Sequence, residues 1–163
     1  MPQGVGWESK AVFNPAAIVI DSTVYLLYRS EDWAGTGRWN GTSRIGLATS
    51  ADGFEFSRRS DPLISPTESY EIPGGCEDPR IVKIDDTYIL TYTGYDGGKA
   101  RLCIAVSKDF EEWEKLGPVF KDDTWSKSGA IVPAKIDGKY FMYFGDSSIK
   151  LAYSTDQIGR AHV

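Results

Sequence analysis

Apolar and polar positions follow a pattern that repeats three times along the chain. Each repeat opens with a segment that ends in Asp, continues into an aromatic, β-rich run, and closes with an Ala-x-Ser-x-Asp signature. The opening segments are residues 14–21, 78–85 and 130–137, the runs are 24–29, 88–93 and 140–145, and the signature serines are Ser50, Ser107 and Ser154. Such runs between turn-forming residues predict strands, and no long helical period is evident. The pattern therefore predicts an all-β protein.

The spacing of the repeats favours a β-propeller. The signature serines recur after 57 residues, from Ser50 to Ser107, and after 47 residues, from Ser107 to Ser154. A period of this size, made of short strands and tight turns, is typical of one four-stranded sheet per repeat. We place the predicted blades at about residues 7–60, 70–120 and 125–157.

Three repeats nearly exhaust the chain, whereas a closed propeller generally needs at least four blades. We therefore expect this chain to be a truncated N-terminal part of a longer protein. Residues 158–163 continue no blade pattern and are what a common sequencing-adapter sequence would encode, so we interpret them as a non-native tail. The only histidine, His162, lies in that tail, which excludes it from a catalytic role and with it any Ser-His or Cys-His scheme within this chain.

Composition excludes several classes of function. The chain has 163 residues and a net charge of −5, which gives no electrostatic case for nucleic acid. It has no apolar stretch of 18 residues and no signal-peptide pattern, so we expect no membrane span and a cytoplasmic location. Cys76 and Cys103 lack the companions that a metal site needs, and we expect buried thiols and no metal.

The segment from Gly74 to Arg80 carries the strongest sign of chemistry. It packs two acids and a base between turn formers at the start of the second repeat, and its Asp78 is equivalent to Asn14 of the first. In a propeller, the starts of the innermost strands meet around one funnel, so we expect Asn14, Asp78 and residues 127–129 to lie near one another. Basic residues at strand ends join this group: Arg29, Arg44 and Arg101. An acid among cations suits a general acid beside an anionic co-substrate.

Six segments in order together resemble glycoside hydrolase family 130, the β-mannoside phosphorylases. The resemblance covers roughly residues 7–157. Its segments are residues 7–9, 12–16, 27–29, 43–48, 75–81 and 92–95.

This resemblance implies a five-bladed β-propeller, of which about three blades are present, with a funnel that binds a terminal β-linked mannose. Family phosphorylases, of which a β-1,4-mannosyl phosphorylase is the type expected here, cleave this linkage with inorganic phosphate and invert the anomeric centre, giving α-mannose 1-phosphate. Phosphate is then a co-substrate, and no cofactor is expected. The implied partners are a β-mannoside oligosaccharide and phosphate, and the full-length protein could form a homo-oligomer.

The resemblance also assigns roles to single residues. Asp78 matches the catalytic acid, which protonates the leaving oxygen through the 3-hydroxyl of the sugar. Asn14 and Arg29 match sugar-contacting positions. The positions that match phosphate-binding residues are Arg44, Arg101 and Lys127.

Each assignment has an ordinary alternative. Asp78 before Pro79 could be a turn former. Glu77 could bind sugar or be solvated, and Arg80 could contact ligand or brace Asp78. Strand-end arginines such as Arg29 and Arg44 commonly form salt bridges between blades. Two tryptophans in the insertion of residues 30–43 could form a sugar-stacking platform or anchor a rim loop: Trp33 and Trp39.

Two alternatives to a phosphorylase stay open. Residues 144–147 read Phe-Gly-Asp-Ser where several phosphorylases have a His-Arg pair, which leaves room for a β-mannoside hydrolase of the same family. A non-catalytic, carbohydrate-binding propeller is the other. Basic residues around Asp78 favour an enzyme, because a scaffold has no need to collect anion-binding groups around one acid.

Overall fold

The computed structural model describes residues 1–2, 4–34 and 41–155. Within these residues it contains one 3₁₀ helix, η1, and eleven strands, with no α-helix, which confirms the predicted all-β class. The elements are η1 (Gly6–Glu8), β1 (Ala11–Ile20), β2 (Thr23–Glu31), β3 (Ser43–Ser50), β4 (Ser57–Arg58), β5 (Gly75–Ile84), β6 (Thr87–Tyr95), β7 (Ala100–Ser107), β8 (Glu114–Pro118), β9 (Ala130–Ile131), β10 (Tyr140–Gly145) and β11 (Ile149–Ser154).

The chain divides into two compact units. The first contains residues 1–79 and 94–99, and the second contains residues 80–93 and those from 100 onwards. Strands β5 and β6 therefore contribute residues to both units.

The first unit is built on an antiparallel meander of β1, β2, β3 and β4. Asp21 and Ser22 form the β1–β2 turn, and both have positive φ angles, 46° and 65°. Two left-handed residues are what a tight hairpin needs to match the twist of its strands. The core of this unit includes Leu27 and Ile45, both fully buried.

The ladder between β1 and β2 contains one irregularity. Phe13 pairs with Arg29 and Ala16 pairs with Leu27, so the register shifts at Asn14 and Pro15. A proline cannot donate to a ladder, and a bulge is a place where a sheet accommodates it. The bulge gives Asn14 a backbone direction that differs from that of its neighbours.

Tyr28 on β2 packs against Trp7 and Glu8 of η1. The Tyr28 hydroxyl donates to the buried carboxylate of Glu8, which also accepts a 3.0 Å hydrogen bond from Arg58. Burial raises the pKa of Tyr28 well above its usual value, and its hydrogen bond to Glu8 adds to the effect. Gly46 lies against the Tyr28 ring, where an added Cβ would come within 2.4 Å of it.

The second unit contains the ladder of β7 and β8 and the meander of β9, β10 and β11. The core of this unit is an apolar cluster whose buried members are Ile84, Ile89, Leu102, Ile104, Val119, Met142, Phe144 and Ala152. Cys103 is buried in this unit and Cys76 in the first, as predicted, and neither forms a disulfide within the described residues.

Two of the Ala-x-Ser-x-Asp signatures form the same hydrogen-bonded turn. The Ser50 hydroxyl bonds to Asp52, whose carboxylate accepts the backbone N–H groups of Phe54 and Glu55. Ser107 and Asp109 repeat this arrangement after β7, with two further backbone donors. These backbone hydrogen bonds, and then the serine hydroxyls, lower the pKa of both aspartates. The third signature ends at Asp156, outside the described residues.

None of the helices in the described ranges is long and apolar enough to cross a membrane. The first and third sequence repeats contain antiparallel meanders, β1 to β4 and β9 to β11. Their assignment to blades of a five-bladed propeller, and the tail at residues 158–163, stay predictions.

Candidate active site

The segment of Gly74 and Gly75 brings β5 beside β3. The Ser43 N–H donates to the Gly74 carbonyl at 2.8 Å, and Ser43 pairs with Gly75 in parallel register. Gly75 has a φ of 112°, and an added Cβ there would lie 2.1 Å from the Ser43 carbonyl oxygen. Only glycine allows this approach, which places the start of β5, and with it Glu77 and Asp78, beside the strands of the first unit.

Asn14 and Asp78 meet directly, as the sequence predicts. The Asn14 amide donates from Nδ2 to Oδ1 of Asp78 at 2.7 Å. Both residues have left-handed backbones, with φ of 47° and 50°, and both precede a proline. Asn and Asp tolerate this conformation better than other non-glycine residues, which explains the residue types at the two equivalent positions.

Arg29 lies at the centre of the site. Its Nη1 donates to Oδ1 of Asp78 at 3.3 Å, and its Nη2 contacts Glu77 at 2.8 Å and Glu31 at 2.5 Å. Its Nε donates to the Ser43 hydroxyl at 3.0 Å. The sequence predicts that Arg29 lies near Asp78. The structure shows that Arg29 also contacts the carboxylates of Glu77 and Glu31.

The aromatic ring of Phe13 covers the guanidinium of Arg29, with 4.7 Å between Cζ of the arginine and the ring centroid. The Asp78 and Arg29 side chains are 9% and 14% exposed. Ion pairs and charge-assisted hydrogen bonds are stronger in such surroundings than on an open surface, while the remaining exposure leaves the group within reach of a ligand.

The two contacts of the Asp78 carboxylate fall on one oxygen. Oδ1 accepts from both Asn14 and Arg29, whereas Oδ2 has no hydrogen bond from the described residues. An acid held by one oxygen can present the other to a substrate. This arrangement is compatible with a general acid.

Arg44 forms an ion pair with Asp32. The sequence allows a salt bridge as the alternative to phosphate binding for this strand-end arginine. Its Nη1 lies 2.5 Å from Oδ2 of Asp32. Asp32 also accepts the backbone N–H groups of Ala34 and Thr42. Burial works against ionisation of Asp32, but the hydrogen bonds from Thr42 and Arg44 outweigh it and lower the pKa. The pair joins the two ends of the insertion that begins after β2.

Of the two tryptophans in the insertion, Trp33 lies within the described residues. Trp33 is 61% exposed, and the ammonium of Lys10 lies 5.5 Å from its ring centroid. Trp39 lies outside the described residues. An exposed ring suits the predicted sugar stacking, which stays a prediction.

Three predicted site residues belong to the second unit. Arg80 is exposed. Arg101 contacts Oδ1 of Asp123 through Nε at 2.5 Å, and the Lys127 carbonyl accepts the Gly145 N–H at 2.9 Å. The roles given to these residues by the resemblance stay predictions, as does a funnel shared by residues 127–129 and Asp78.

Sequence reasoning missed four residues around Arg29: Lys10, Phe13, Glu31 and Ser43. Glu31 had a usable signal, because it lies two residues after Arg29 on one strand and therefore on the same face. Ser43 and Phe13 could be found only from the strand register, which places Phe13 opposite Arg29 and Ser43 opposite Glu31.

Within the described ranges, no group of three or more His, Cys, Asp or Glu residues could hold a metal ion. The groups that the first unit brings together at the site are the carboxylates of Asp78, Glu77 and Glu31, the Asn14 amide and the Arg29 guanidinium.

A protein-family model described as β-1,4-mannooligosaccharide phosphorylase matches residues 4–162. The chain belongs to glycoside hydrolase family 130. This confirms the family that the six sequence segments resemble. Neighbours in this family are β-propellers, which supports the propeller architecture and leaves the number of blades a prediction.

Curated relatives are mannoside phosphorylases. The chain is 41% identical over 140 residues to the 1,2-β-oligomannan phosphorylase of Thermoanaerobacter sp. strain X514, a match that covers 83% of this chain and 46% of the relative. It is 34% identical over 150 residues to the β-1,2-mannobiose phosphorylase of the same strain, covering 84% of this chain and 48% of the relative. The chain thus spans about half the length of the curated relatives it matches.

A solved structure from a study of family hydrolases is similarly close. That study reports that the family of mannoside phosphorylases contains glycoside hydrolases that target β-1,2 mannosidic linkages in Candida mannan. The identity is 39% and the TM-score 0.88, and the match covers 96% of this chain and 52% of that one.

Proposed function

We propose that the full-length protein is a glycoside phosphorylase that cleaves terminal β-mannosidic linkages with inorganic phosphate. The reaction inverts the anomeric centre and gives α-mannose 1-phosphate. The observation that carries this proposal is the Asp78 carboxylate, held through Oδ1 by Asn14 and Arg29 with Oδ2 left for a substrate.

One acid is sufficient for this reaction. An inverting hydrolase needs a second carboxylate, about 6.5–9.5 Å from the first, to activate water. Phosphate is already a nucleophile, so cations that position it can take the place of that base. In this mechanism Asp78 protonates the leaving oxygen through the 3-hydroxyl of the mannose, while phosphate attacks the opposite face of the sugar.

The phosphate is assigned to Arg44, Arg101 and Lys127. Arg44 keeps donors for phosphate. Within the described residues, its guanidinium makes two contacts, to Asp32 and to the Thr42 carbonyl, and both are made by Nη1. Nε and Nη2 remain for an anion. Asn14, Arg29, Glu77, Arg80 and Trp33 are assigned to the sugar.

The linkage that we propose is β-1,2. The curated relatives at 41% and 34% identity are described as acting on β-1,2-linked mannosides, whereas the β-1,4-mannooligosaccharide phosphorylase of Ruminococcus albus is 25% identical. The resemblance implies β-1,4 specificity, so a β-1,4-linked mannoside serves as the comparison substrate.

A β-mannoside hydrolase is the second candidate. The solved relative at 39% identity comes from a study of family hydrolases that target β-1,2 mannosidic linkages. The Phe-Gly-Asp-Ser sequence at residues 144–147 points the same way, because it lacks the His-Arg pair of several phosphorylases.

One experiment separates these functions. The full-length protein is incubated with β-1,2-mannobiose or β-1,4-mannobiose, with and without phosphate, and the products are identified by NMR. We expect cleavage of the β-1,2 substrate to require phosphate and to release α-mannose 1-phosphate. Equal release of free mannose without phosphate would establish the hydrolase, and no cleavage of either substrate would leave a carbohydrate-binding protein.

A further inference from the structure

Arg29 is shared among three carboxylates rather than paired with one. An arginine has five N–H groups in a fixed fork. Within the described residues, Nε binds Ser43, Nη2 binds Glu31 and Glu77, and Nη1 binds Asp78. The contact with Asp78, at 3.3 Å, is the longest of these, and the contact with Glu31, at 2.5 Å, is the shortest.

Glu31 is itself held in place. Its Oε2 lies 2.9 Å from Nζ of Lys10, while its Oε1 faces Arg29. The Lys10 N–H also donates to the Glu31 carbonyl at 2.9 Å. Both ends of this residue are therefore fixed, and its side chain is 15% exposed.

We propose that Glu31 is a positioning residue that restrains Arg29, so that Arg29 binds Asp78 through one oxygen only. Arginine and carboxylate groups favour a bidentate pair, in which Nη1 and Nη2 would occupy both oxygens of Asp78. Glu31 and Glu77 both hold Nη2 away from Oδ2 of Asp78, and the contact with Glu31 is the shorter of the two. Oδ2 of Asp78 consequently stays available to the substrate.

This inference rests on the proposed function, since it assigns Oδ2 of Asp78 to proton delivery. It predicts a specific kinetic pattern. In Glu31→Gln, Nη2 loses the shorter of its two carboxylate contacts and keeps the one with Glu77. The weakened restraint allows Arg29 to close on both oxygens of Asp78, which blocks the acid. We expect kcat to fall roughly 10–100-fold, the range that misplacement of a catalytic group produces, while KM changes little.

The Arg29→Lys variant provides the decisive comparison, because an ammonium cannot form the bidentate pair. If Glu31 acts through Arg29, Glu31→Gln should cost almost nothing further in an Arg29→Lys background. The matched control is Glu55→Gln, which removes the same charge from an exposed glutamate of the first unit.

The experiment measures kcat and KM of these variants in the full-length protein, together with ¹⁵N–¹H NMR of the Arg29 guanidinium. Losses that add in the double variant, or a normal kcat for Glu31→Gln, would overturn the proposal. The NMR signals test the restraint without relying on activity: we expect them to shift in Glu31→Gln and not in Glu55→Gln. If the wild type cleaves no mannoside, the proposed function fails, whereas unchanged Arg29 signals in Glu31→Gln would show that Glu31 does not restrain Arg29.

Discussion

At the scale of single residues, the site depends on two short polar side chains with left-handed backbones. Asn14 and Asp78 occupy equivalent places in two sequence repeats and meet at 2.7 Å. Each position needs a residue type that tolerates positive φ, and the proposed mechanism also uses each side chain. The backbone and the chemistry therefore select for the same two residues.

Asp78→Asn tests the acid. The amide keeps the size of the side chain and its tolerance of positive φ, but it cannot deliver the proton. We expect turnover in the full-length protein to fall by about 10²–10⁴ or more, with the thermal unfolding midpoint little changed. Asp21→Asn makes the same substitution at an exposed left-handed turn, with φ of 46°, and should retain turnover. Near-normal turnover of Asp78→Asn would remove Asp78 from the mechanism.

Asn14 can be tested by separating its backbone from its amide. The Asn14→Gly variant tolerates the φ of 47° but lacks the hydrogen bond to Asp78. The Asn14→Ala variant lacks the same bond and also strains the backbone. We expect both variants to lower turnover about tenfold or more. In urea titrations, Asn14→Ala should be less stable than Asn14→Gly by about 1 kcal/mol. Equal stability would show that the left-handed backbone imposes no cost at this position.

Much of this site could be predicted from sequence, because Asn14 and Asp78 stand out as equivalent members of a repeat. Ser43 and Phe13 could not, since their roles depend on which strands pair and in which register. For Arg44, the pattern permitted either phosphate or an ion pair. The structure supplies the ion pair with Asp32, and the phosphate role stays a prediction.

At the scale of elements, the approach of β5 to β3 depends on Gly75. Its φ of 112° and the 2.1 Å separation between an added Cβ and the Ser43 carbonyl oxygen exclude other residues. The repeats and strand runs could be predicted because they follow local rules of turns and alternation. The parallel contact of Ser43 with Gly75 could not, since it joins residues from two repeats.

Gly75→Ala should therefore be strongly destabilising. We expect a loss of about 3 kcal/mol or more in the free energy of unfolding, because backbone strain and a clash with main-chain atoms combine. Gly53→Ala is the control: its φ of 77° is also positive, but no atom lies within 4 Å of the added Cβ. It should cost only about 1 kcal/mol. Similar losses in urea denaturation would mean that the close approach to Ser43 is unimportant.

The two Ser-x-Asp turns make stability depend on pH. Backbone N–H groups lower the folded-state pKa of Asp52 and Asp109 below the unfolded value, which is about 3.9. Their contribution is therefore complete above that value and is lost as the pH falls through the folded-state pKa. In Asp52→Ala/Asp109→Ala, we expect the deficit in stability relative to the wild type to be constant from about pH 7 to 5 and to shrink below about pH 4. A deficit in urea titrations that is the same at low pH would contradict this account.

At the scale of the whole molecule, the sheet of β9, β10 and β11 has two unlike faces. Met142 and Ala152 enter the apolar cluster of the second unit, whereas Tyr143 and its partner Leu151 are about half exposed. Ile149 on the same side is 81% exposed, and β11 ends the sheet with an edge that pairs with no other described strand. Exposed apolar faces and open edges both favour association with other chains.

We therefore expect residues 1–163, produced alone, to self-associate through this face. Sedimentation velocity over a range of concentrations should show species larger than a monomer. Ile149→Lys/Leu151→Lys should shift the distribution towards the monomer, because charges on the face and beside the edge oppose pairing with another chain. Val5→Lys adds a charge at another exposed apolar residue, in the first unit, and should leave the distribution unchanged. A wild-type chain that stays monomeric at high concentration would show that this face needs no cover, and an equal effect of Val5→Lys would assign the association to net charge rather than to the face of β10 and β11.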